Sequence, residues 1–325
     1  MPGFTTHYIF GMKAYNDMPF TPLKHTIAKY RWLYQLGLQG PDMFFYNIPI
    51  LRHRDYRNVG SYMHEHKVNA FFECCLRRIG TIRSRQQQEE AISYLAGFIN
   101  HYIADSICHP YVYGRIGYPV DAPTSMHHGM HAHLENELDA ILLWKYKKKK
   151  PSEFNQTATI CLNGQEIQFI SHFLASCINE TYYPITYRNN FQVTPAMVHR
   201  SIWALRFGCR TLSDKNGKKK FGIAQVESIF VNHPVASAKM VTDSLTDYRS
   251  SCNLNHEAWG NPWDPTRVST ASFVDLFHET LDKCSRVYAL LNSAVTDNMP
   301  LDKQDLSPLL AELGNESYHS GLPVE

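Results

Sequence analysis

The chain has 325 residues, of which 44% are hydrophobic and 19% are charged, and its formal net charge is +2. This length and apolar content favour a globular protein with a large core, and the near-neutral charge disfavours a nucleic-acid-binding protein. The eight cysteines form no CxxC motif in a chain of this length, so they do not predict a disulfide framework.

The first residues, MPGFTTHYIFG, lack the charged and apolar regions of a signal peptide. No stretch of the sequence reaches 18 consecutive apolar residues, which is the length that a membrane-spanning helix requires. We therefore expect a soluble protein of the cytoplasm. The absence of repeats and of Gly/Ser/Pro-rich linkers favours a single domain over residues 1–325.

The N-terminal region is predicted to begin without regular structure, and His7 lies in a run that we expect to be short and extended. A helix is then predicted from Pro22 to Gly37 or Gly40, because proline is favoured in the first helical turn. A further helix is predicted at Tyr62–Ile79.

The centre of the chain carries the first half of a candidate site. Ser84 is the expected N-cap of a helix that begins with polar residues and continues into the apolar run YLAGFINHYIAD. His101, Asp105 and His109 follow one another at i, i+4 and i+8, so they share one helical face.

A second helix is predicted after a connection rich in glycine and proline. It carries His131 and Glu135 at i, i+4, and His133 and Glu137 with the same spacing. The two pairs lie on opposite sides of the apolar stripe of this helix, so spacing alone does not choose between them.

The C-terminal half is predicted to be helical after a small insertion. A β-hairpin is expected at about residues 157–170, because Asn163-Gly164 suits a tight turn between two β-rich runs. Helical periodicity returns at Ile170–Thr181, Pro195–Leu212 and Ser269–Ala294, and Asn253–Thr266 is expected to be a compact loop. The predicted fold class is mainly α, with a metal-site core at about 1–145, the hairpin, and a C-terminal helical half at about 170–325.

The clustered imidazoles and carboxylates favour a metal site. A single His/Glu pair at i, i+4 is more often a helix-stabilising contact of roughly 0.2–0.5 kcal/mol. However, His101, Asp105 and His109 lie beside apolar residues, and buried ionisable groups are costly unless they are paired or coordinate a metal. Histidine nitrogens and carboxylate oxygens are ligands that zinc prefers.

The sequence HYIADSICHP…HAHLENELD resembles the bacterial zinc-dependent phospholipase C family. The resemblance is to cytoplasmic members of that family, which lack a signal peptide. That family has His-x3-Asp, a nearby His-Pro, and His-x3-Glu on another helix. Thr6-His7 is similar to its early histidine, and LGLQGPD, which ends at Asp42, is similar to a further segment. The resemblance covers roughly residues 5–140.

The resemblance implies a core like that of zinc phospholipases C and nucleases, with a cluster of two or three zinc ions. His109, His131 and Glu135 would hold one ion, and Asp105 would bridge the other two. The ligands implied for the bridged ions are His101, His64 and Asp42 on one, and His7 with the chain terminus on the other. Asp42 and Asp105 are the implied catalytic residues, and Asp42 could also act as a general base.

Three ligand choices remain open. His131 and Glu135 are preferred over His133 and Glu137 because of the register of the family pattern. His64 is preferred over His53 and His66 because it begins a helix that packs on the core. The secreted relatives use an N-terminal tryptophan as a ligand, which this chain lacks, and we consider Pro2 as a substitute.

The implied function is a zinc-dependent phosphoric (di)ester hydrolase, in which a zinc-bound hydroxide attacks phosphorus. The first expected substrate is a phosphoester such as a phospholipid head group. The alternatives are a single-strand nuclease or nucleotidase of the same fold, and an inactive metal-stabilised binding protein. Aromatic and basic residues along the groove would favour the nuclease.

The sequence suggests few other partners. Lys145–Lys150 could contact an anionic membrane surface, although a solvated helix end is the more common role of such a run. We expect no stable nucleic-acid complex and no obligate protein partner.

Overall fold

The computed structural model describes residues 3–46, 59–182, 192–230, 237–243 and 248–325. Helices account for most of the described chain, which confirms the mainly α fold class. The α-helices are Phe4–Asp17 (α1), Pro22–Lys29 (α2), Arg31–Gly37 (α3), Val59–Glu65 (α4), Val68–Thr81 (α5), Arg85–Arg115 (α6), Ser125–Lys147 (α7), Gly164–Thr181 (α8), Pro195–Leu212 (α9), Lys218–Phe230 (α10), Tyr248–Ser251 (α11), Phe273–Thr296 (α12) and Ser307–Leu313 (α13). Short 3-10 helices lie at Gly40–Tyr46, Pro151–Glu153, Gln156–Thr159, Ser237–Lys239 and Leu301–Lys303.

The 31-residue helix α6 is the centre of the fold. Ser84 caps it as predicted, and the Ser84 side chain accepts a hydrogen bond from the Gln87 N–H. From Glu90 to Tyr113 nearly every residue of α6 is buried, because α1, α2, α3, α5 and α12 pack around it. Its ionisable residues therefore lie in the core.

Helix α3 crosses α6 at very short range. A Cβ on Gly97 would lie 2.1 Å from the main-chain oxygen of Tyr34. A Cβ on Gly37 would likewise lie 2.1 Å from the main-chain oxygen of Tyr94. Only glycine at both positions permits this approach. The crossing brings the end of α3 and the 3-10 helix Gly40–Tyr46 against the middle of α6.

Three predicted elements of the N-terminal region differ from the structure. The helix predicted from Pro22 to Gly37 or Gly40 is two helices, α2 and α3, separated at Tyr30, whose φ of −115° and ψ of 42° are not helical. The first residues form the helix α1 rather than an extended run, and the Asp139 carboxylate accepts hydrogen bonds from the Thr5 and Thr6 N–H groups at its start. The predicted helix Tyr62–Ile79 is two helices, α4 and α5, separated near Lys67, whose φ of 49° is left-handed.

The β-hairpin predicted at residues 157–170 is wrong. Residues Gln156–Thr159 form a 3-10 helix, and α8 begins at Gly164. The Asn163 side chain accepts from the Glu166 N–H, and the Glu166 carboxylate accepts from the Asn163 N–H. This capping box makes Asn-Gly a helix start instead of a hairpin turn.

A small hairpin does form elsewhere. Strand β1 (Trp259–Asn261) pairs antiparallel with β2 (Asp264–Ser269), in the segment that was expected to be a loop. The predicted helices at Ile170–Thr181 and Pro195–Leu212 are confirmed as parts of α8 and α9, and α12 corresponds to the prediction at Ser269–Ala294.

Within the described ranges, none of the helices combines the length and the apolar character needed to cross a membrane.

Candidate metal centre

The predicted ligand residues form two buried groups that follow one another along one face of α6. In the first group, ligand atoms of Asp42, His64, His101 and Asp105 all lie within 4.8 Å of one another. In the second group, His109, His131 and Glu135 meet the same criterion. His7 joins the first group, because its Nε2 lies 3.1 Å from Asp105 Oδ1. All eight side chains are buried.

Helical spacing accounts for the residues that each helix contributes. His101, Asp105 and His109 lie on one face of α6, and Asp105 contacts both groups. On α7, His131 Nε2 lies 2.6 Å from Glu135 Oε1, one turn along the helix. Glu135 Oε1 also lies 3.6 Å from His109 Nε2, which places α7 against the end of α6.

Asp42 reaches the site because a glycine allows a close approach. Gly40 has a φ of +46°, and a Cβ at this position would lie 2.2 Å from His101 Cδ2. The tight 3-10 turn that follows places Asp42 Oδ1 3.3 Å from His64 Nε2 and 3.7 Å from His101 Nε2. A larger residue at position 40 would displace either the turn or the imidazole.

His7 is positioned by a carboxylate from another helix. Asp139 of α7 lies 2.7 Å from the Thr6 N and 3.1 Å from the Thr5 N, at the start of α1. A negative charge near a helix N-terminus is favourable, because the first amides have no partners within the helix. Asp139 thereby holds the turn of α1 that carries His7.

Main-chain carbonyl groups orient three of the imidazoles. His64 Nδ1 lies 2.6 Å from the Gly60 oxygen, His101 Nδ1 lies 3.1 Å from the Leu38 oxygen, and His109 Nδ1 lies 2.7 Å from the Tyr318 oxygen. A carbonyl oxygen can only accept, so each Nδ1 carries the proton and donates. In the neutral form of each ring, Nε2 therefore carries the lone pair and faces the carboxylates, as in histidines that bind metals.

The donor atoms of the first group lie close together without forming hydrogen bonds to one another, an arrangement that suits a shared cation. Asp105 lies 3.1 Å from His101 Nε2 and 3.6 Å from His64 Nε2, in addition to its contact with His7. Even so, neither carboxylate oxygen of Asp105 has a hydrogen-bond partner among the described residues, and the same holds for the Nε2 atoms of these histidines. Buried polar atoms without partners are rare and costly. Because the donors are imidazole nitrogens and carboxylate oxygens, the set suits zinc.

The pKa values of the site reflect its burial. Burial alone would raise the pKa of Asp105, but the imidazoles of His109, His101 and His7 outweigh it and hold this pKa well below its usual range. Burial lowers the pKa of His109 to about 3 and also lowers that of His7. Burial opposes protonation of His64 as well, but Asp105 and Asp42 outweigh it and raise its pKa to about 9.

The structure separates the alternatives that the sequence left open. His133 is half exposed, and it pairs with Glu137 at 3.2 Å outside both groups. His66 packs its ring on Tyr62 and belongs to neither group. His53 and Pro2 lie in segments outside the described residues.

A cavity of about 540 Å³ opens onto both groups. Asp42 lines it from the first group and Glu135 from the second. The opposite wall comes from α9, through Arg200, Trp203 and Phe207, and from Lys239. Asp105 is fully buried and is not among the lining residues.

Sequence reasoning missed the contribution of the C-terminal residues. The main-chain N–H of Tyr318 donates to the main-chain oxygen of His64 at 2.9 Å. The main-chain oxygen of Tyr318 accepts from His109 Nδ1. The ring of His319 lies 4.9 Å from that of His64 and 5.7 Å from that of His109. The segment NESYHSGLP has no helical or strand periodicity, so its tyrosine and leucine indicated only that it is ordered.

Comparisons with known proteins identify the family of the chain. The family model described as zinc dependent phospholipase C matches residues 6–186. No curated protein and no solved structure matches the chain. The family match covers α1 to α8, including all eight donor residues, and more than half of the 325 residues. The chain therefore belongs to the zinc-dependent phospholipase C family.

Proposed function

We propose that the protein is a zinc-dependent phosphodiesterase of the phospholipase C type, with a phospholipid or a related head-group ester as substrate. The observation that supports this most directly is that two groups of zinc-type donors meet at Asp105 and open through Asp42 and Glu135 into one cavity. Donor groups this close suit a phosphoryl group, whose attacking and leaving oxygens both need stabilisation.

Zinc would be held by the residues already described. His109, His131 and Glu135 would hold one ion, and Asp42, His64, His101, Asp105 and His7 would hold one or two more. When bound, zinc would polarise phosphoryl oxygens and lower the pKa of a water molecule. The main-chain carbonyl groups behind His64, His101 and His109 would keep the imidazoles in the tautomer that binds a metal.

The two candidate catalytic carboxylates would have different roles. Asp42 lines the cavity, so it can contact a water molecule beside the substrate and accept its proton. Asp105 is fully buried and surrounded by imidazoles, so it would organise the donor groups without touching the substrate.

A second candidate is a single-strand nuclease or nucleotidase, because aromatic and basic residues do line the cavity. Trp203 and Phe207 lie with their ring planes 9° apart and their centroids 5.3 Å apart, beside Arg200. Stacking surfaces next to basic side chains are typical of single-strand binding sites.

The experiment that tests the proposal combines metal analysis with two substrates. We expect zinc in the purified protein, hydrolysis of a short-chain phosphatidylcholine, and slower or no hydrolysis of a single-stranded oligonucleotide. Asp42→Asn should reduce turnover about 10²–10⁴-fold, the usual contribution of a general base. Cleavage of the oligonucleotide alone would favour the nuclease, and full zinc with no turnover of any phosphoester would favour a binding protein.

A further inference from the structure

Helices α9 and α10 present a basic and apolar surface beside the cavity, outside the part of the chain that matches the family model. Residues 195–230 contain seven Lys or Arg residues and only two acidic ones, Asp214 and Glu227. Both carboxylates are engaged nearby: Asp214 accepts from the Lys220 N–H, and Glu227 accepts from Ser237. Among the described residues, none of the seven basic side chains forms an ion pair. They are Arg200, Arg206, Arg210, Lys215, Lys218, Lys219 and Lys220.

The same two helices expose large apolar side chains. On α9 these are Trp203 and Phe207, and on α10 they are Phe221, Val226 and Ile229, with between 51% and 77% of each side chain in contact with solvent. None of the described residues of α10 is fully buried. Exposed aromatic and aliphatic residues among basic ones are typical of helices that lie in the interface of a membrane.

This surface is continuous with the cavity that Asp42 and Glu135 line. Trp203 and Phe207 line that cavity, and Phe221 lines a neighbouring one of about 570 Å³ between α7 and α10. The two cavities meet at Asn136, whose side chain donates to the Ala238 oxygen at 2.7 Å. The α9–α10 surface therefore flanks the entrance through which a substrate would reach Asp42.

We propose that the α9–α10 surface docks the protein on a bilayer that contains anionic phospholipid. This inference rests on the proposed phospholipase function and names the surface from which the substrate would be taken. The basic side chains would attract lipid phosphates, and the apolar side chains would enter the interface. Val226 and Ile229 favour a lipid over a nucleic acid, because aliphatic side chains offer no ring on which a base can stack.

The test is binding of the zinc-loaded, full-length protein to vesicles made of non-hydrolysable ether lipids. We expect binding to mixed phosphatidylcholine–phosphatidylglycerol vesicles, with a blue shift of the tryptophan emission that Trp203→Ser diminishes, and weak binding to pure phosphatidylcholine. Changing Lys218, Lys219 and Lys220 together to glutamine should weaken binding about a hundredfold, since each lysine near such a surface contributes about fivefold. Trp203→Ser should weaken binding to both kinds of vesicle.

Matched changes at the end of α7 serve as controls. One control variant has glutamine at Lys147, Lys149 and Lys150, and the other is Trp144→Ser. They remove the same kinds of side chain from a surface that does not line the cavity. Loss of binding in these variants, with none in the α9–α10 variants, would overturn the proposal. Binding to a single-stranded oligonucleotide but not to anionic vesicles would also overturn it.

Hydrolysis of a soluble short-chain phospholipid, measured in parallel, separates the two proposals. Vesicle binding without hydrolysis would leave the docking surface standing and remove the phospholipase function. Hydrolysis of the soluble substrate without vesicle binding would leave the phospholipase function standing and remove the docking surface.

Discussion

His109 donates its Nδ1–H to the main-chain oxygen of Tyr318, 2.7 Å away, although 209 positions separate the two residues. The N–H of Tyr318 donates to the His64 oxygen, so one residue of the C-terminal segment contacts a member of each donor group. Partners behind metal ligands typically change metal affinity or activity 10–100-fold when they are lost. Tyr318 lies outside the residues that the family model matches, so this support for the two donor groups comes from a part of the chain that the match does not cover.

The C-terminal segment can be displaced by a single methyl group. Gly321 has a φ of +61°, and a Cβ there would lie 2.6 Å from the Ser106 oxygen on α6. We expect Gly321→Ala to move the segment away from His109 and to lower zinc affinity about 10–100-fold, measured by competition with a chelator.

Gly217→Ala is the matched control for this change. Gly217 has a similar φ of +69°, but a Cβ there would meet no atom within 4 Å. It should cost only the backbone strain of about 1 kcal/mol in unfolding free energy, with zinc affinity unchanged. Equal zinc affinity in the two variants would show that the segment does not support the metal centre.

Removal of Asp105 should empty the first donor group. We expect the wild-type protein to contain two or three zinc ions and Asp105→Ala to contain at least one fewer, because the bridging carboxylate is lost. Metal analysis by mass spectrometry after dialysis provides the count. One zinc per chain in both proteins would restrict metal binding to His109, His131 and Glu135.

The two acidic residues of α7 should respond differently to the same change. Glu135→Gln should lower zinc content, because Glu135 lies with His109 and His131, whereas Glu137→Gln should not. Glu137 instead accepts a hydrogen bond from Ser251 at 2.6 Å, and because a glutamine oxygen can still accept it, the change should cost no more than about 1.5 kcal/mol of unfolding free energy. Zinc titration and thermal unfolding of both variants measure these effects. Loss of zinc only in Glu137→Gln would reverse the assignment.

Asp139 should make stability depend on pH. Burial raises the pKa of Asp139 from 3.8 to about 6, so the folded protein binds this proton more tightly than the unfolded chain does. Between pH 3.8 and about 6, the Asp139 contribution to stability therefore falls as the pH rises, by about 3 kcal/mol.

Asp139→Asn should abolish this pH-dependent contribution. It should also lower the unfolding free energy by an amount that does not vary with pH, because an amide accepts less well than a carboxylate from the Thr5 and Thr6 N–H groups. Zinc release at low pH would occur in both proteins, so the difference between their unfolding free energies isolates Asp139. A difference that stays constant from pH 4 to 6 would contradict the raised pKa.

Local patterns in the sequence were sufficient for α6 and for the donor residues on it. The spacing of His101, Asp105 and His109 gives a shared face in any α-helix, and Ser84 caps that helix through its immediate neighbours. The same local rules were ambiguous at Asn163-Gly164, where a hairpin turn and a helix cap use the same residues. The Glu166 side chain resolved that ambiguity in favour of a helix.

By itself, the sequence determined the helical class of the protein and its family, and it narrowed the candidate metal-binding side chains to a set in which three choices stayed open, because helix periodicity and motif spacing operate over a few residues. Only the tertiary structure decided that Glu135 and not Glu137 faces His109, and that Asp139 holds the helix that carries His7. It also decided that Tyr318 supports His109 and that α9 forms the far wall of the cavity. These relationships join residues far apart in the chain, and they arise from packing around α6, which no local pattern encodes.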